Sequence, residues 1–313
     1  MQAKRIWRDY FALSVKGMVM GAADAVPGVS GGTIAFITGI YEELIHSLKQ
    51  CGPEAIKVLF RQGFGSMWQH INGSFLVTLL LGMLFSVFTI SRVVLHWLDV
   101  YPVLLWSFFF GLILAAIWSL VRHIKEWKVN TIAFFLLGTL SAYFITVITP
   151  SHIQPTGLSV FLSGMLAICA MILPGLSGAF ILLLLGMYTH ILTAMKDLEF
   201  TILGLFAAGC VVGLLSFSRI LNWMFNSYRT LTLALLGGFM LGSLNKVWPW
   251  KNTLEFTING HGKEIPLVQE NILPTTFETL SAQPAYFWYS IVLMIFGAGT
   301  VLLLEKFGSG ARE

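Results

Sequence analysis

Apolar segments separated by short polar linkers follow one another along almost the whole chain. Six of them have close to the ~20 residues that a helix needs to cross a bilayer, and they cover residues 74–96, 102–121, 131–149, 200–222, 229–248 and 285–305. Residues 49–73 have the polarity of a loop. Residues 249–284 contain short alternating runs around a turn signal at 259–263, which predicts a small loop or a two-stranded flap. The pattern predicts an all-α polytopic membrane protein.

Two further apolar segments, 17–48 and 158–195, are each interrupted by a Pro-Gly-x-Ser-Gly sequence. Pro27 and Pro174 remove a backbone donor and clash with the preceding turn, and the glycines that follow weaken the helix further. Each arm is therefore too short to span the bilayer. We expect two re-entrant helical hairpins, whose freed N–H groups must face protein, water or a ligand because lipid cannot satisfy them.

The two interrupted segments belong to an internal repeat. With Pro27 aligned on Pro174, identical residues recur along both hairpins. After a change of offset the downstream segments align as well, at the pairs Arg92–Arg219, Tyr101–Tyr228 and Gly111–Gly238. Such repeats are typical of transporters. We predict a first repeat over 1–149 (interfacial helix, hairpin 17–48, three spans) and a second over 150–313 (hairpin 158–195, three spans, extracytoplasmic loop 249–284).

Composition and charge support an integral membrane protein and orient it. Only 11% of the 313 residues are charged, against about 25% in soluble domains. The net charge of +4 is small and indicates charged loops, not a nucleic-acid partner. If both termini are cytoplasmic, most of the 19 Lys and Arg residues lie on that side, as the positive-inside rule favours. Three crossings per half then give two inverted-topology repeats whose hairpins meet near the midplane.

The residue spacing contains no cofactor or metal motif. The histidines and the three cysteines are scattered, and no P-loop for ATP is present. We therefore expect neither a metal nor a cofactor, and any energy for transport must come from an ion gradient or from the substrate gradient. The sequence leaves the oligomeric state undetermined.

Small and hydroxylated residues at the two interruptions could bind an anion. Backbone N–H groups in such a nest, together with nearby hydroxyls, suit a phosphate. The candidates are Gly28, Ser30, Gly31, Gly32, Thr33, Gly175, Ser177 and Gly178. The alternative is that these glycines only let helices pack closely, as small residues do in membranes.

Two acidic residues in the first hairpin are candidates for ion coupling or gating. Asp24 lies just before the interruption, and a carboxylate at membrane depth is a functional candidate by default. It could bind H⁺ or Na⁺, cap the broken helix, or lie at the interface near Lys16. Glu42 follows at the far end of the hairpin, where the alternative is a solvated helix end.

Arg92 and Arg219 occupy the same repeat position, and each follows a serine late in an apolar run. Guanidinium is a natural bidentate partner of phosphate. The alternative is that both side chains snorkel to lipid headgroups.

These motifs resemble a known family. The stretch from Gly21 to Thr33, with residues 39–45 and 173–178, is similar to the bacterial polyprenyl-phosphate transporter (PopT) family, long catalogued only as a domain of unknown function. The resemblance implies a non-enzymatic flippase of the cytoplasmic (inner) membrane that returns undecaprenyl phosphate for peptidoglycan and other envelope polymers. It implies roles for Asp24 and the segments 27–33 and 174–178, although the second hairpin has Met171 and Phe180 where the first has Asp24 and Thr33.

Two other functions remain open on the residues alone. Membrane polyprenyl-diphosphate phosphatases also use a Pro-Gly-x-Ser motif, but theirs continues with Arg-Ser, whereas Ser30 and Ser177 are each followed by glycine. A small-anion channel or exchanger could use the same helix ends without a lipid-facing opening.

Overall fold

The computed structural model describes residues 5–24, 26, 29–148, 153–258 and 264–309. The first half contains α1 (Trp7–Asp24), α2 (Gly31–Ile37), α3 (Tyr41–Gln50), α4 (Pro53–His70), α5 (Gly73–Phe88), α6 (Ile90–Val100), α7 (Pro102–Arg122) and α8 (Val129–Val147). The second half contains α9 (Gly157–Ile172), α10 (Gly178–Leu184), α11 (Tyr188–Lys196), α12 (Phe200–Ser243), a 3-10 turn (Leu244–Val247), β1 (Lys251–Ile258), β2 (Glu264–Asn271), α13 (Pro274–Ser281) and α14 (Phe287–Ser309).

The apolar helices have the dimensions of membrane spans. Within the described ranges, four helices are long and apolar enough to cross a bilayer, or six when each of two bent helix pairs is counted as one span. One of these pairs, α10 with α11, bends by 109°. Many large apolar side chains on α5, α8 and α14 face outwards, as expected of surfaces that contact lipid. The prediction of an all-α polytopic membrane protein is confirmed.

Three boundaries differ from those the sequence predicts. Residues 53–70, predicted as a loop, are helical, with Pro53 in the first helical turn and a non-helical Gly63 inside. The predicted span 74–96 is divided into α5 and α6 at Thr89, whose hydroxyl donates to the Phe85 carbonyl at 2.6 Å. The predicted interfacial segment 1–16 is not separate, because α1 continues through it to Asp24.

The repeat offset predicted from sequence also relates the observed elements. α2 and α10 begin and end at residues that the Pro27–Pro174 alignment pairs, and α3 and α11 begin at such residues. Gly39 and Gly186, which are paired in this way, have φ angles of 70° and 68°, a left-handed conformation that favours glycine. Tyr101 and Tyr228, paired by the second offset, both leave helical geometry, at φ −132° and −139°. The opposite insertion of the two halves stays a prediction.

Close helix packing repeats in the same way. A Cβ atom on Gly17 of α1 would lie 2.4 Å from the Leu79 carbonyl oxygen of α5, and one on Gly164 of α9 would lie 2.4 Å from the Phe206 oxygen of α12. Small residues allow such backbone approach, which drives helix association in lipid. Each interrupted segment is therefore held by its first helix against the next long helix.

The last helix of each half packs on the other half. A Cβ atom on Gly111 of α7 would lie 2.0 Å from the Met294 oxygen of α14. At the paired position, Gly238 of α12 meets the Phe135 oxygen of α8 at 2.1 Å. The last helix of the first half, α8, thus packs on α12 of the second half, and the last helix of the second half, α14, packs on α7 of the first.

A two-stranded ribbon lies at one end of the helices. β1 and β2 pair antiparallel, which is the flap alternative predicted for this stretch; the predicted turn at 259–263 lies outside the described residues. Trp248 donates to the Ile272 carbonyl and Trp250 to the Ala285 carbonyl, both at 2.9 Å. These indoles fix the ribbon and the α13 segment to the helices.

We predict that Gly209→Ala destabilises the protein. A Cβ atom there would lie 2.0 Å from the Phe161 carbonyl oxygen, and overpacking of this kind costs about 1–3 kcal/mol. The apparent midpoint of thermal unfolding in detergent measures the loss. Gly204→Ala on the same helix is the matched control, because a Cβ atom there meets nothing within 4 Å. Equal midpoints for the two variants would contradict the packing argument.

Candidate functional site

The two helix interruptions meet. α1 ends at Asp24 and α2 begins at Gly31, while α9 ends at Ile172 and α10 begins at Gly178. The N–H of Gly175 in the second interruption donates to Thr33 Oγ1 at 2.9 Å. Ser30 Oγ lies 3.1 Å from the carbonyl oxygens of both Met171 and Leu173, to either of which its single hydrogen can be donated. Two hydroxyls of the first break therefore bond to backbone groups of the second.

Asp24 caps the helix that follows it. Its Oδ1 accepts a hydrogen bond from the N–H of Gly31 at 2.6 Å, where a negative charge is favoured by the helix dipole. Its Oδ2 is buried and has no hydrogen-bond partner in the part of the chain that the structure describes. Of the alternatives open from sequence, capping is the one observed. The unpartnered oxygen is the feature that capping leaves unexplained.

The predicted anion nest is filled at the first interruption. Besides the Gly31 amide, the Gly32 N–H donates to Ser30 Oγ at 3.1 Å. A Cβ atom on Gly32 would lie 2.5 Å from the Ile172 oxygen, and one on Gly178 would lie 2.6 Å from the Ala167 oxygen. These glycines therefore allow close packing, as the alternative interpretation holds. Gly28 lies outside the described residues.

The second interruption is less complete. Ser177 makes no side-chain capping bond at the start of α10, and within the described chain no acceptor contacts the N–H groups of Gly178 and Ala179. Ala179 is exposed, whereas Gly31, Gly32 and Thr33 are buried. The two interruptions thus have related backbones but different hydrogen bonding, and the second retains accessible donors.

The contact between the interruptions is closed in this conformation. Ser30 and Thr33 expose 1% and 0% of their surface, and Val26 and Val29 expose 0% and 1%. α2 also packs against α7 and α14. Any ligand that reaches these polar groups must first separate the two hairpins.

The predicted arginine pair lies away from this contact. Arg92 and Arg219 are both exposed, and both follow buried serines. The Arg219 guanidinium lies beside Gly52, close to the start of α4. Among the described residues neither arginine makes a hydrogen bond or ion pair with the interruptions. The structure therefore does not bring the arginines together with the predicted anion nest.

Glu42 is also separate from the interruptions. Its carboxylate accepts from Arg229 Nη2 at 2.7 Å at the exposed start of α3. Beside it, Glu43 pairs with Arg5 at 2.5 Å and accepts from Asn72 at 2.8 Å. Both carboxylates tie the first hairpin to neighbouring segments. In the described ranges, no group of three or more His, Cys, Asp and Glu residues could hold a metal ion.

Sequence reasoning missed two polar features. The pairing of Thr33 with Gly175 joins residues far apart in the chain, so no local pattern predicts it. Lys246, near the end of the predicted span 229–248, has no partner that the sequence predicts, but its Nζ lies 4.5 Å from the ring centre of Phe180. The available signal was Phe180 itself, because it replaces Thr33 at the equivalent repeat position.

Comparison with known proteins finds relatives along most of the chain. The family described as undecaprenyl phosphate translocase-like matches residues 20–265. A polyprenyl-phosphate transporter of Vibrio cholerae is 48% identical over 299 residues, which cover 96% of this chain and 97% of the relative. A polyprenyl-phosphate transporter of Staphylococcus aureus is 32% identical over 254 residues, 75% and 85% of the two chains. No solved structure matches significantly.

We predict that Thr33→Val weakens the contact between the interruptions. The change keeps the shape of the side chain but leaves the buried Gly175 N–H without its acceptor, a loss of about 1–3 kcal/mol. Hydrogen exchange at residues 173–177 should accelerate, and the unfolding midpoint in detergent should fall. Thr33→Ser retains the hydroxyl and should behave nearly as the unchanged protein. Equal exchange in the valine and serine variants would show that this bond does not hold the hairpins together.

Proposed function

The chain belongs to the undecaprenyl phosphate translocase-like family, and we propose that it moves undecaprenyl phosphate or a related polyprenyl phosphate across the bacterial cytoplasmic membrane. Its relatives in Vibrio cholerae and Staphylococcus aureus are named polyprenyl-phosphate transporters. In this proposal both termini are cytoplasmic and the carrier lipid returns to that side for envelope synthesis. The protein is a transporter and not an enzyme.

The observation that carries this proposal is the buried polar contact between two broken helices. A phosphate head group must cross about 30 Å of hydrocarbon, whereas the polyprenyl tail can stay in lipid throughout. Polar backbone at membrane depth is tolerated only where it faces protein or a polar path. Ser30, Thr33 and the amides around Gly175 and Gly178 supply such groups. Separation of the hairpins would present them to the head group.

Asp24 supplies a candidate for ion coupling. Its carboxylate accepts the hydrogen bond from the Gly31 N–H. A phosphate oxygen could accept from the same N–H only after this bond is broken. A proton on the unpartnered Oδ2 would neutralise this carboxylate and weaken its hold on the amide. Proton uptake and entry of the head group would then be linked.

Charged residues outside the interruptions take supporting roles in this proposal. Arg92 and Arg219, exposed and at equivalent positions in the two halves, attract the head group before it enters the path. Glu42, through its ion pair with Arg229, holds the far end of the first hairpin and must release it when the hairpin moves. Both assignments follow from the chemistry of the side chains and the repeat.

Reconstitution in vesicles tests the proposed function. The leaflet accessibility of undecaprenyl phosphate is followed together with phosphate release from undecaprenyl diphosphate and with chloride flux. Accelerated exchange without phosphate release or chloride flux is the expected result. Phosphate release would favour the phosphatase, and chloride flux alone would favour the small-anion channel.

We predict that Asp24→Asn abolishes the response of lipid exchange to an imposed proton gradient, because asparagine cannot take up or release the proton that frees the Gly31 amide. Asp9→Asn on the same helix is the control, because Asp9 is exposed and bonds only locally to the Ile6 N–H. An Asp24→Asn protein with full exchange and an unchanged gradient response would exclude Asp24 from coupling.

We predict that Arg92→Ala and Arg219→Ala each reduce exchange while the protein still inserts and folds. Their removal takes away the charge that draws the head group towards either end of the path. Lysine at the same positions should restore part of the rate, because lysine keeps the charge but not the bidentate geometry. Full exchange by both alanine variants would leave lipid anchoring as the role of these side chains.

A further inference from the structure

Two lysines lie together where the helical part of the molecule joins the ribbon. Lys246 belongs to the 3-10 turn that follows α12, and Lys251 is the first residue of β1. Lys251 Nζ donates to the Lys246 carbonyl oxygen at 2.5 Å. Both side chains are partly buried. The short Trp-containing link between them therefore brings two ammonium groups to one place.

Each ammonium faces an aromatic ring. Lys246 Nζ lies 4.5 Å from the ring centre of Phe180 on α10, and Lys251 Nζ lies 4.0 Å from that of Trp106 on α7. A cation over a ring is attracted by its π face, but this contact uses none of the three N–H donors of an ammonium group. Within the described residues the Lys246 ammonium donates no hydrogen bond, and the Lys251 ammonium donates the one to the Lys246 carbonyl. Most of the donors are thus left for a ligand.

Among the described residues, no carboxylate forms an ion pair with either lysine. The four ion pairs formed within the described ranges involve other lysines and arginines. Burial and the neighbouring Lys246 hold the pKa of Lys251 well below its ordinary value. Like charges that are desolvated together are unfavourable unless an anion joins them. The pair therefore has the electrostatics of an unfilled anion site.

The lysine pair is close to the second interruption. Ser243 lies three residues before Lys246 and packs on Gly175 of the second interruption. Its Oγ is 2.6 Å from the position that a Cβ atom on Gly175 would take. Phe180, under Lys246, follows Gly178 and the exposed Ala179, whose N–H groups have no acceptor in the described structure. Lys246 thus lies beside α10, the helix that begins directly after the second interruption.

We propose that Lys246 and Lys251 form a binding site for a phosphate monoester, which in this protein is the head group of the polyprenyl phosphate at the ribbon end of its path. The site rests on the proposed function for the identity of its lipid ligand. Phe180 and Trp106 position the two ammonium groups. The replacement of Thr33 by Phe180 in the second half is then explained as the support for Lys246.

Binding to the purified protein in detergent tests this site. Undecaprenyl phosphate, undecaprenol and inorganic phosphate are titrated separately, with each dissociation constant measured on the unchanged protein and on Lys246→Gln/Lys251→Gln. We expect the double variant to bind undecaprenyl phosphate at least about tenfold more weakly, and undecaprenol to bind no protein measurably. With Lys246→Arg/Lys251→Arg, the dissociation constant for undecaprenyl phosphate should lie within about threefold of that of the unchanged protein. Lys196→Gln is the matched control, because Lys196 is an exposed lysine at the end of α11.

The outcomes separate this site from the proposed function. If the double glutamine variant binds undecaprenyl phosphate as tightly as the unchanged protein, the site is wrong, even if its melting point falls. If only inorganic phosphate binding depends on the lysines, the lipid assignment is overturned. If the unchanged protein binds the lipid through these lysines but does not accelerate exchange in vesicles, the proposed function fails and the site stands. Should the double variant not fold, Lys246→Gln against Lys246→Arg makes the same comparison.

Discussion

The satisfaction of backbone polar groups inside the bilayer is the constraint on which this structure depends. A helix that stops within an apolar segment leaves N–H and C=O groups that lipid cannot satisfy. The two Pro-Gly interruptions are such stops, and one contact satisfies part of their freed polar groups, because Ser30 and Thr33 bond to the backbone around Met171 and Gly175. The close glycine packing and the exchanged final helices keep these two breaks opposed.

The same contact makes the two related halves unequal. The first break carries its own anion, because Asp24 bonds to the amide of Gly31 at the start of α2. The second break has Met171 at that position and leaves the amides at the start of α10 without acceptors among the described residues. Two identical helix breaks would give the phosphate head group no preferred side of entry. The difference at one position gives one hairpin a titratable group and the other a set of free donors.

The interruptions and the helices around them could be predicted from sequence because they follow from local chain chemistry. Proline and glycine end helices wherever they occur, so α2 and α10 begin where the motifs place them. The division at Thr89 could not be predicted, since it falls inside an apolar run, residues 74–96, that contains no proline. The partners of Thr33, Asp24 and Lys246 are tertiary contacts, and a repeat alignment shows equivalent positions but not which of them touch.

The energetics of opening connect these features. To separate the hairpins, the protein must break the bonds of Ser30 and Thr33 to the second break and leave buried donors exposed to an apolar region, which is costly without a replacement acceptor. A phosphate group carries several strong acceptor oxygens and can take the place of the lost partners. The closed state is then stable when no head group is present, and the head group itself lowers the cost of opening. In the proposed mechanism, the head group therefore has to be present before the hairpins separate.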